Sequence, residues 1–174
     1  MGKRSDFKRV ERDFYPTPKK AVEPLVAHLK PCNFLEPCAG DHRLVNHLED
    51  FGFTCDMASD IEPQSDLVCD KDAFDIENNM NRTIITNPPW DRKILHPMID
   101  YFRSISPSTW LLFDADWMHT LQSANYMKYC KTVISIGRVK WIEDSTMTGK
   151  DNCVWYEFVQ DETVTTFIGR EPKQ

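Results

Sequence analysis

The chain has 174 residues, 41% hydrophobic and 28% charged, with a formal net charge of −6 at pH 7. That length supports one sizeable hydrophobic core and sets the expectation of a single domain. No apolar run approaches the ~20 residues of a membrane span, and the opening MGKRSDFKRVERD lacks the apolar centre of a signal peptide.

Six cysteines without a CxxC pair argue against a zinc site. In a chain without an export signal they are expected to be reduced thiols of a cytoplasmic protein that binds neither membrane nor metal. Charge is unevenly spread. Residues 1–20 hold Lys3, Arg4, Lys8, Arg9, Arg12, Lys19 and Lys20 against Asp6, Glu11 and Asp13, a balance of +4 that leaves −10 on the rest. A basic arm over residues 1–12 on an acidic body suits phosphate contacts. A solvated tail is the plainer reading of the same residues.

Thr17-Pro18 reads as a helix start, Thr17 as N-cap and proline in the first helical position. Ala21, Val22, Leu25, Val26 and Leu29 follow at helical spacing. A short buried strand over 33–36 is broken by Pro37 and the loop Cys38-Ala39-Gly40. From about Asp41 a helix sets Leu44, Leu48 and Phe51 on one face and stops at Gly52. Thr54 to Ser59 is a strand ending at Asp60, and Leu67-Val68-Cys69 and Thr83 to Thr86 are two more. A helix near Ile94 to Ser104 leads to a strand from Trp110 to Asp114. This alternation predicts an α/β fold with a mostly parallel central sheet wrapped by helices. Val133 to Trp141 and Cys153 to Val159 are strand-like around the polar loop Glu143 to Asn152, and Val164 to Ile168 adds one more. The domain, 13–174, should therefore finish in a C-terminal antiparallel hairpin, with no second domain.

Ligands of open α/β sheets bind beyond the carboxyl ends of the strands. Three loops there carry relevant chemistry. In Glu36-Pro37-Cys38-Ala39-Gly40-Asp41, small residues admit a ligand to the backbone and the next helix presents free N–H groups. Asp60 offers a carboxylate for two ribose hydroxyls. Asp72-Ala73-Phe74 offers an acceptor for an exocyclic amine and a ring for its base. Each alone is commonly a turn or cap; in this order they describe an adenosine site. TNPPWD then leaves an amide and an indole on a turn that two prolines keep from continuing as strand or helix.

FLEPCAGDHRLVNHL, ASDIEP, KDAFD and TNPPW resemble the successive motifs of class I S-adenosylmethionine-dependent methyltransferases. More narrowly, they are similar to amino-methyltransferases acting on N6 of adenine in DNA, known from bacteria and their phages. The upstream FYPTP resembles the Thr-Pro element that precedes the first motif in one order class of these enzymes. The likeness runs from about Asp13 to Trp90 by motif, and NPPW is its specific element. It implies a Rossmann-like class I methyltransferase fold with S-adenosylmethionine as cofactor. It places Tyr15 and Thr17 over the methionine part, and Glu36 with the Cys38, Ala39 and Gly40 backbone at the amino-acid end. Asp60 falls to the ribose, and Asp72 and Phe74 to the adenine.

By the same resemblance Asn87, Pro88, Pro89 and Trp90 form the catalytic loop. The Asn87 oxygen and the Pro88 carbonyl would accept the amine protons while Trp90 stacks on the base, which duplex DNA must present flipped out. The family loop commonly has glycine two residues after Gly40, where this chain has His42; a positive φ there would be tolerated at a cost. No separate target-recognition domain is visible. Arg92, Lys93, Arg138 and Lys140, with the Glu143–Asn152 loop, are the nucleic-acid-binding candidates, implying short or relaxed sequence specificity. RNA or protein-glutamine methylation remains a second reading, and a cofactor-binding or partner-activating module without catalysis a third.

Overall fold

Residues 15–77, 82–142 and 148–170 are described in the computed structural model; the basic arm over 1–12 and residues 143–147 of the polar loop lie outside them. Among the described residues four α-helices and eight strands follow in order: α1 (Lys19–Val26), β1 (Asn33–Glu36), α2 (Arg43–Asp50), β2 (Thr54–Asp60), β3 (Cys69–Asp70), β4 (Thr83–Thr86), α3 (Arg92–Ile105), β5 (Thr109–Asp114), α4 (Ala124–Met127), β6 (Cys130–Arg138), β7 (Asn152–Phe158) and β8 (Thr166–Ile168). The strands form one sheet in the order β3-β2-β1-β4-β5-β7-β6-β8. β7 runs antiparallel to both β5 and β6; the other neighbours are parallel. Thus β1, β2, β4, β5, β6 and β8 all open toward the same end. The expected α/β fold with a mostly parallel sheet and an antiparallel β6–β7 pair is present.

Both faces of the sheet are covered, which is why β4 reads as an unbroken apolar pair rather than an alternation. Ile85 packs with α1 and α2 on one face and Ile84 with α3 on the other, each fully buried. Trp155 of β7 is fully buried too and donates its Nε1–H to the Ala21 carbonyl at 2.7 Å, locking α1 to the sheet. On the α3 side, Phe113, Trp117, Tyr156 and Phe158 form an aromatic stack whose Phe113–Tyr156 centroids are 4.2 Å apart. Burying each such ring contributes roughly 1.5–3 kcal/mol. Trp117 donates to His96 Nε2 at 3.0 Å, which requires a neutral ring; burial of His96 lowers its pKa in the same sense.

Several element boundaries differ from expectation. Pro18 stays extended (ψ 151) and is itself the cap of α1, its carbonyl accepting from Ala21 N, so the helix starts at Lys19 and Thr17 is no N-cap. α2 buries Leu44, Val45 and Leu48, whereas Phe51 lies beyond the helix and is 38% exposed. Leu67 is solvent-facing, and β3 begins only at Cys69. β6 ends at Arg138, short of Trp141, opposite Asn152 where its partner β7 begins; the pairing also slips between Ser135 and Gly137 (φ 77), a β-bulge that glycine accommodates. The last strand, β8, joins β6 in parallel.

Candidate active site

The strand-order reversal falls between β1 and β4, so the loops after them open side by side. The loop after β1 is held by its backbone. Ala39 N donates to Ser59 O at 2.9 Å, Gly40 N to Asp60 Oδ2 at 3.0 Å, and Gln64 N to Gly40 O at 2.9 Å. The other Asp60 oxygen accepts from Glu62 N at 2.9 Å. Asp60 therefore braces the loop while each oxygen keeps a second acceptor direction. His42 is at φ 71, the left-handed conformation its position demands, and hydrogen-bonds Asn46 through Nδ1 at 2.9 Å. His42→Gly should relieve that backbone at the expense of the Asn46 contact. The expected net gain is up to about 1 kcal/mol, roughly 2–4 °C in Tm, with His42→Ala lower than both. A glycine variant melting below the wild type would show that the Asn46 contact outweighs the backbone strain.

Glu36 ends β1 at 2% exposure, and its Oε2 has no partner among the described residues. Burial, then the nearby carboxylates Asp41 and Asp60, push its pKa well above the usual carboxylate range against a hydrogen bond from Val45. Burial and Asp60 likewise push the Cys38 thiol up, so it is no nucleophile. Asp72 caps a turn of 3-10 helix over Ala73–Asp75, one oxygen accepting from Phe74 N at 2.9 Å. Ala73 is the residue that enters the core; the Phe74 ring is 38% exposed and tilts against Tyr101 at 5.4 Å.

Beyond β4, Asn87 is gripped from both sides. Its Nδ2 donates to the Tyr15 carbonyl at 3.1 Å, and its Oδ1 accepts from Trp90 Nε1 at 3.3 Å. Flipping the amide would set donor against donor and oxygen against oxygen, so this network fixes its orientation. The same indole N–H also reaches the Leu112 carbonyl of β5 at 3.2 Å. The Trp90 ring is half-buried, touches both core clusters, and meets Trp141 edge-on at 5.9 Å. Trp141 in turn lies 6.1 Å from the Tyr15 ring. Thr17 is buried beside this segment. Tyr15, Asn87 and Trp90 are thus directly joined, with Pro88 and Pro89 in the same turn, while Glu36, the 38–40 backbone and Asp60 form the neighbouring loop.

The nucleic-acid candidates split into two exposed pairs at the same end of the sheet. Arg92 and Lys93 open α3, where Arg92 hydrogen-bonds Gln122 at 3.0 Å. Arg138 ends β6 and Lys140 follows it, and β6 lies three strand spacings, roughly 14 Å, from β4.

No protein-family profile and no curated protein sequence matches the chain. Solved structures do. A candidate RNA methyltransferase from Pyrococcus horikoshii superposes with a TM-score of 0.63 at 12% identity, over 91% of this chain and 92% of that one. A candidate class I S-adenosylmethionine-dependent methyltransferase from Listeria monocytogenes gives 0.53 at 13% identity, over 87% and 62%. The 23S rRNA methyltransferase ErmE gives 0.53 at 11% identity, over 82% and 68%. The fold is the class I methyltransferase fold.

Within this methyltransferase fold, Trp141 and the Leu112 carbonyl are contacts of the candidate site that sequence reasoning missed. The signal for Trp141 was an aromatic placed just before a polar loop, disguised as the end of a strand. Glu36 gives a signed expectation. Its folded-state pKa is raised, so its stabilising contribution is full below about pH 4.5 and is lost as pH rises through the folded-state value. Glu36→Gln should therefore match the wild type in acid. At neutral pH it should be more stable by about 1–3 kcal/mol, roughly 2–10 °C in Tm. Thermal melts from pH 4 to 8 check this, and parallel curves for the two proteins would sink it.

Proposed function

We propose that this chain transfers a methyl group from S-adenosylmethionine to an exocyclic amino group of a nucleic-acid base, most directly N6 of adenine in DNA. The observation that carries this reading is the pairing of two features on adjacent strands: the oriented Asn87 carboxamide after β4 and the unpartnered buried oxygen of Glu36 at the end of β1. A buried carboxylate oxygen lacking a donor fits the ammonium group of an amino acid. Glu36 and the 38–40 backbone would hold that end of the cofactor, Asp60 its ribose, Asp72 and Phe74 its adenine, with Tyr15 and Thr17 over the methionine chain. Bound there, it supplies an electrophilic methyl group on a sulfonium.

The chain's own residues handle the nucleophile. A purine amine is weak because its lone pair is delocalised into the ring. Asn87 Oδ1 and the Pro88 carbonyl, accepting its two protons, favour a pyramidal and more nucleophilic nitrogen. Neither is a strong base, so a proton leaves to solvent after the carbon–nitrogen bond forms. Trp90 occupies one acceptor direction of Asn87 Oδ1, and the second serves the amine. Its tie to Leu112 fixes the ring edge, and the ring supplies a stacking surface worth roughly 1–3 kcal/mol per base. Prolines at 88 and 89 keep these groups in place before substrate arrives, which is the source of the rate gain.

The NPPW element favours DNA adenine. A second reading, an amino group of RNA, is favoured by the fold likeness to proteins described as RNA methyltransferases. The test incubates purified protein and methyl-labelled cofactor with unmodified duplex DNA, single-stranded DNA, total RNA or bulk protein, then digests and identifies the labelled product. N6-methyladenine in DNA is the expected result. Label confined to RNA moves the substrate to the second reading, and label on protein, or none at all, overturns the proposal.

A further inference from the structure

The sheet extends one strand past β6, and the added strand ends in a basic residue of its own. β8 pairs with β6 through Thr132–Thr166, Val133–Phe167 and Ile134–Ile168, so Gly169 and Arg170 emerge at the same end as Asn87. The Arg170 side chain lies across Gly137: a Cβ on that glycine would stand 2.8 Å from Nη1 and 3.1 Å from Cζ. Gly137 (φ 77) directly follows the point where β6 slips against β7, between Ser135 and Gly137, so the irregular stretch of the strand also makes the seat for the guanidinium. Directly after it, exposed Arg138 and Lys140 flank buried Val139, and Trp141 then reaches Trp90 and Tyr15.

The described cations divide into those paired with a carboxylate and those that are not, and Lys20, Lys30, Lys71 and Lys93 share the unpaired state with Arg138, Lys140 and Arg170. Arg43, Arg82 and Arg103 each pair with a carboxylate. Arg138, Lys140 and Arg170 form no salt bridge among the described residues, on a chain whose net charge is −6. What distinguishes these three is their place, at the end of β6 and after β8, at the strand end that carries Asn87. An unneutralised cluster beside an aromatic-lined site suits a polyanion that also presents a base.

We propose that Arg170, seated on Gly137 and joined by Arg138 and Lys140, is a backbone-phosphate clamp that holds nucleic acid alongside the site. The proposal rests on the nucleic-acid reading above and adds a residue and a direction to it. From β4 to β8 is four strand spacings, roughly 19 Å, or about five to six base steps of a duplex at ~3.4 Å each. The substrate backbone accordingly runs from the target nucleotide across Trp141 toward the β8 edge.

The experiment is anisotropy titration of a labelled DNA duplex, and of RNA of the same sequence, across a salt series. Wild type is compared with Arg170→Ala, Arg170→Lys and, at the opposite end of the sheet, Lys30→Ala. Arg170→Ala is expected to weaken binding and to flatten the slope of log K against log salt by about 1. Arg170→Lys should restore the slope, and Lys30→Ala should leave both quantities unchanged. Duplexes trimmed to fewer than about five base pairs on each side of the target should erase the difference between wild type and Arg170→Ala. A wild type that binds while Arg170→Ala keeps its affinity and slope overturns the clamp and leaves the nucleic-acid reading standing. A wild type that binds neither probe at any salt overturns both.

Discussion

Asn87→Ala is expected to reduce kcat for methyl transfer by roughly 10²–10³-fold, the effect of removing one preorganised hydrogen-bonding group from a reacting centre. Cofactor affinity should fall by no more than about fivefold, because of the two hydrogen bonds lost only the neutral one from Nδ2 to the Tyr15 carbonyl, worth about 1 kcal/mol, ties the segment assigned to the cofactor. The split between the two quantities carries the argument. A merely structural asparagine would move stability and binding together and leave chemistry in the folded fraction intact. Asn87→Asp sharpens the test: it keeps an acceptor but sets a carboxylate oxygen against the Tyr15 carbonyl, and should fall between wild type and alanine. Single-turnover transfer with labelled cofactor, beside calorimetric titration, measures both terms. Wild-type kcat in the alanine variant would remove Asn87 from the reaction and leave a cofactor-binding module as the better reading.

Asp60→Ala is expected to lower cofactor affinity by at least about 100-fold. Two effects add. The variant removes the acceptor assigned to the ribose, and it releases Gly40 N and Glu62 N, which the carboxylate now holds at 3.0 and 2.9 Å. Hydrogen bonds to a charged group are worth roughly 1.5–3 kcal/mol each, so losing even one from the bound state is a factor of ten or more. Asp60→Asn keeps the shape and part of the acceptor capacity, and should lose about tenfold. Calorimetric titration with S-adenosylmethionine needs no knowledge of the methyl acceptor. Wild-type affinity in Asp60→Ala would show that the loop after β1 is not the cofactor site.

Glu36 and Asp60 illustrate opposite ways of holding a carboxylate. Asp60 is satisfied by two backbone N–H groups, whereas Glu36 is buried beside it with an oxygen that nothing in the described chain fills. A carboxylate left in that state opposes stability, as the expected behaviour of Glu36→Gln expresses, and its retention is understandable where a ligand completes it. The same variant should therefore gain stability and lose cofactor affinity, a pairing that a purely structural residue does not produce.

Much of this was legible along the chain because the signals are local. A proline or glycine ends an element through its own backbone, so Pro37, Gly52 and the Pro88-Pro89 pair marked boundaries correctly. Short segments of four to seven residues with apolar centres between such breaks identified β1, β2, β4 and β5, and the family resemblance, which has glycine at that place, raised the positive φ that His42 adopts. Where a boundary depended on a partner, the same reasoning failed. The end of β6 was misplaced because it is set by where its partner β7 begins, opposite Arg138, and the parallel direction of β8 depends on where the chain returns.

The sequence by itself determined the α/β alternation, the strand-end loops and the residue types of the candidate site, since each rests on interactions spanning a few residues. Tertiary structure decided what those residues are joined to. Asn87 meets Tyr15 across 72 positions, Trp90 meets Leu112 across 22, and Trp141 closes against both Tyr15 and Trp90. Such contacts form only after the sheet has assembled in its β1–β4–β5–β7–β6 order, because only then does burial of both faces repay the entropy of bringing distant segments together.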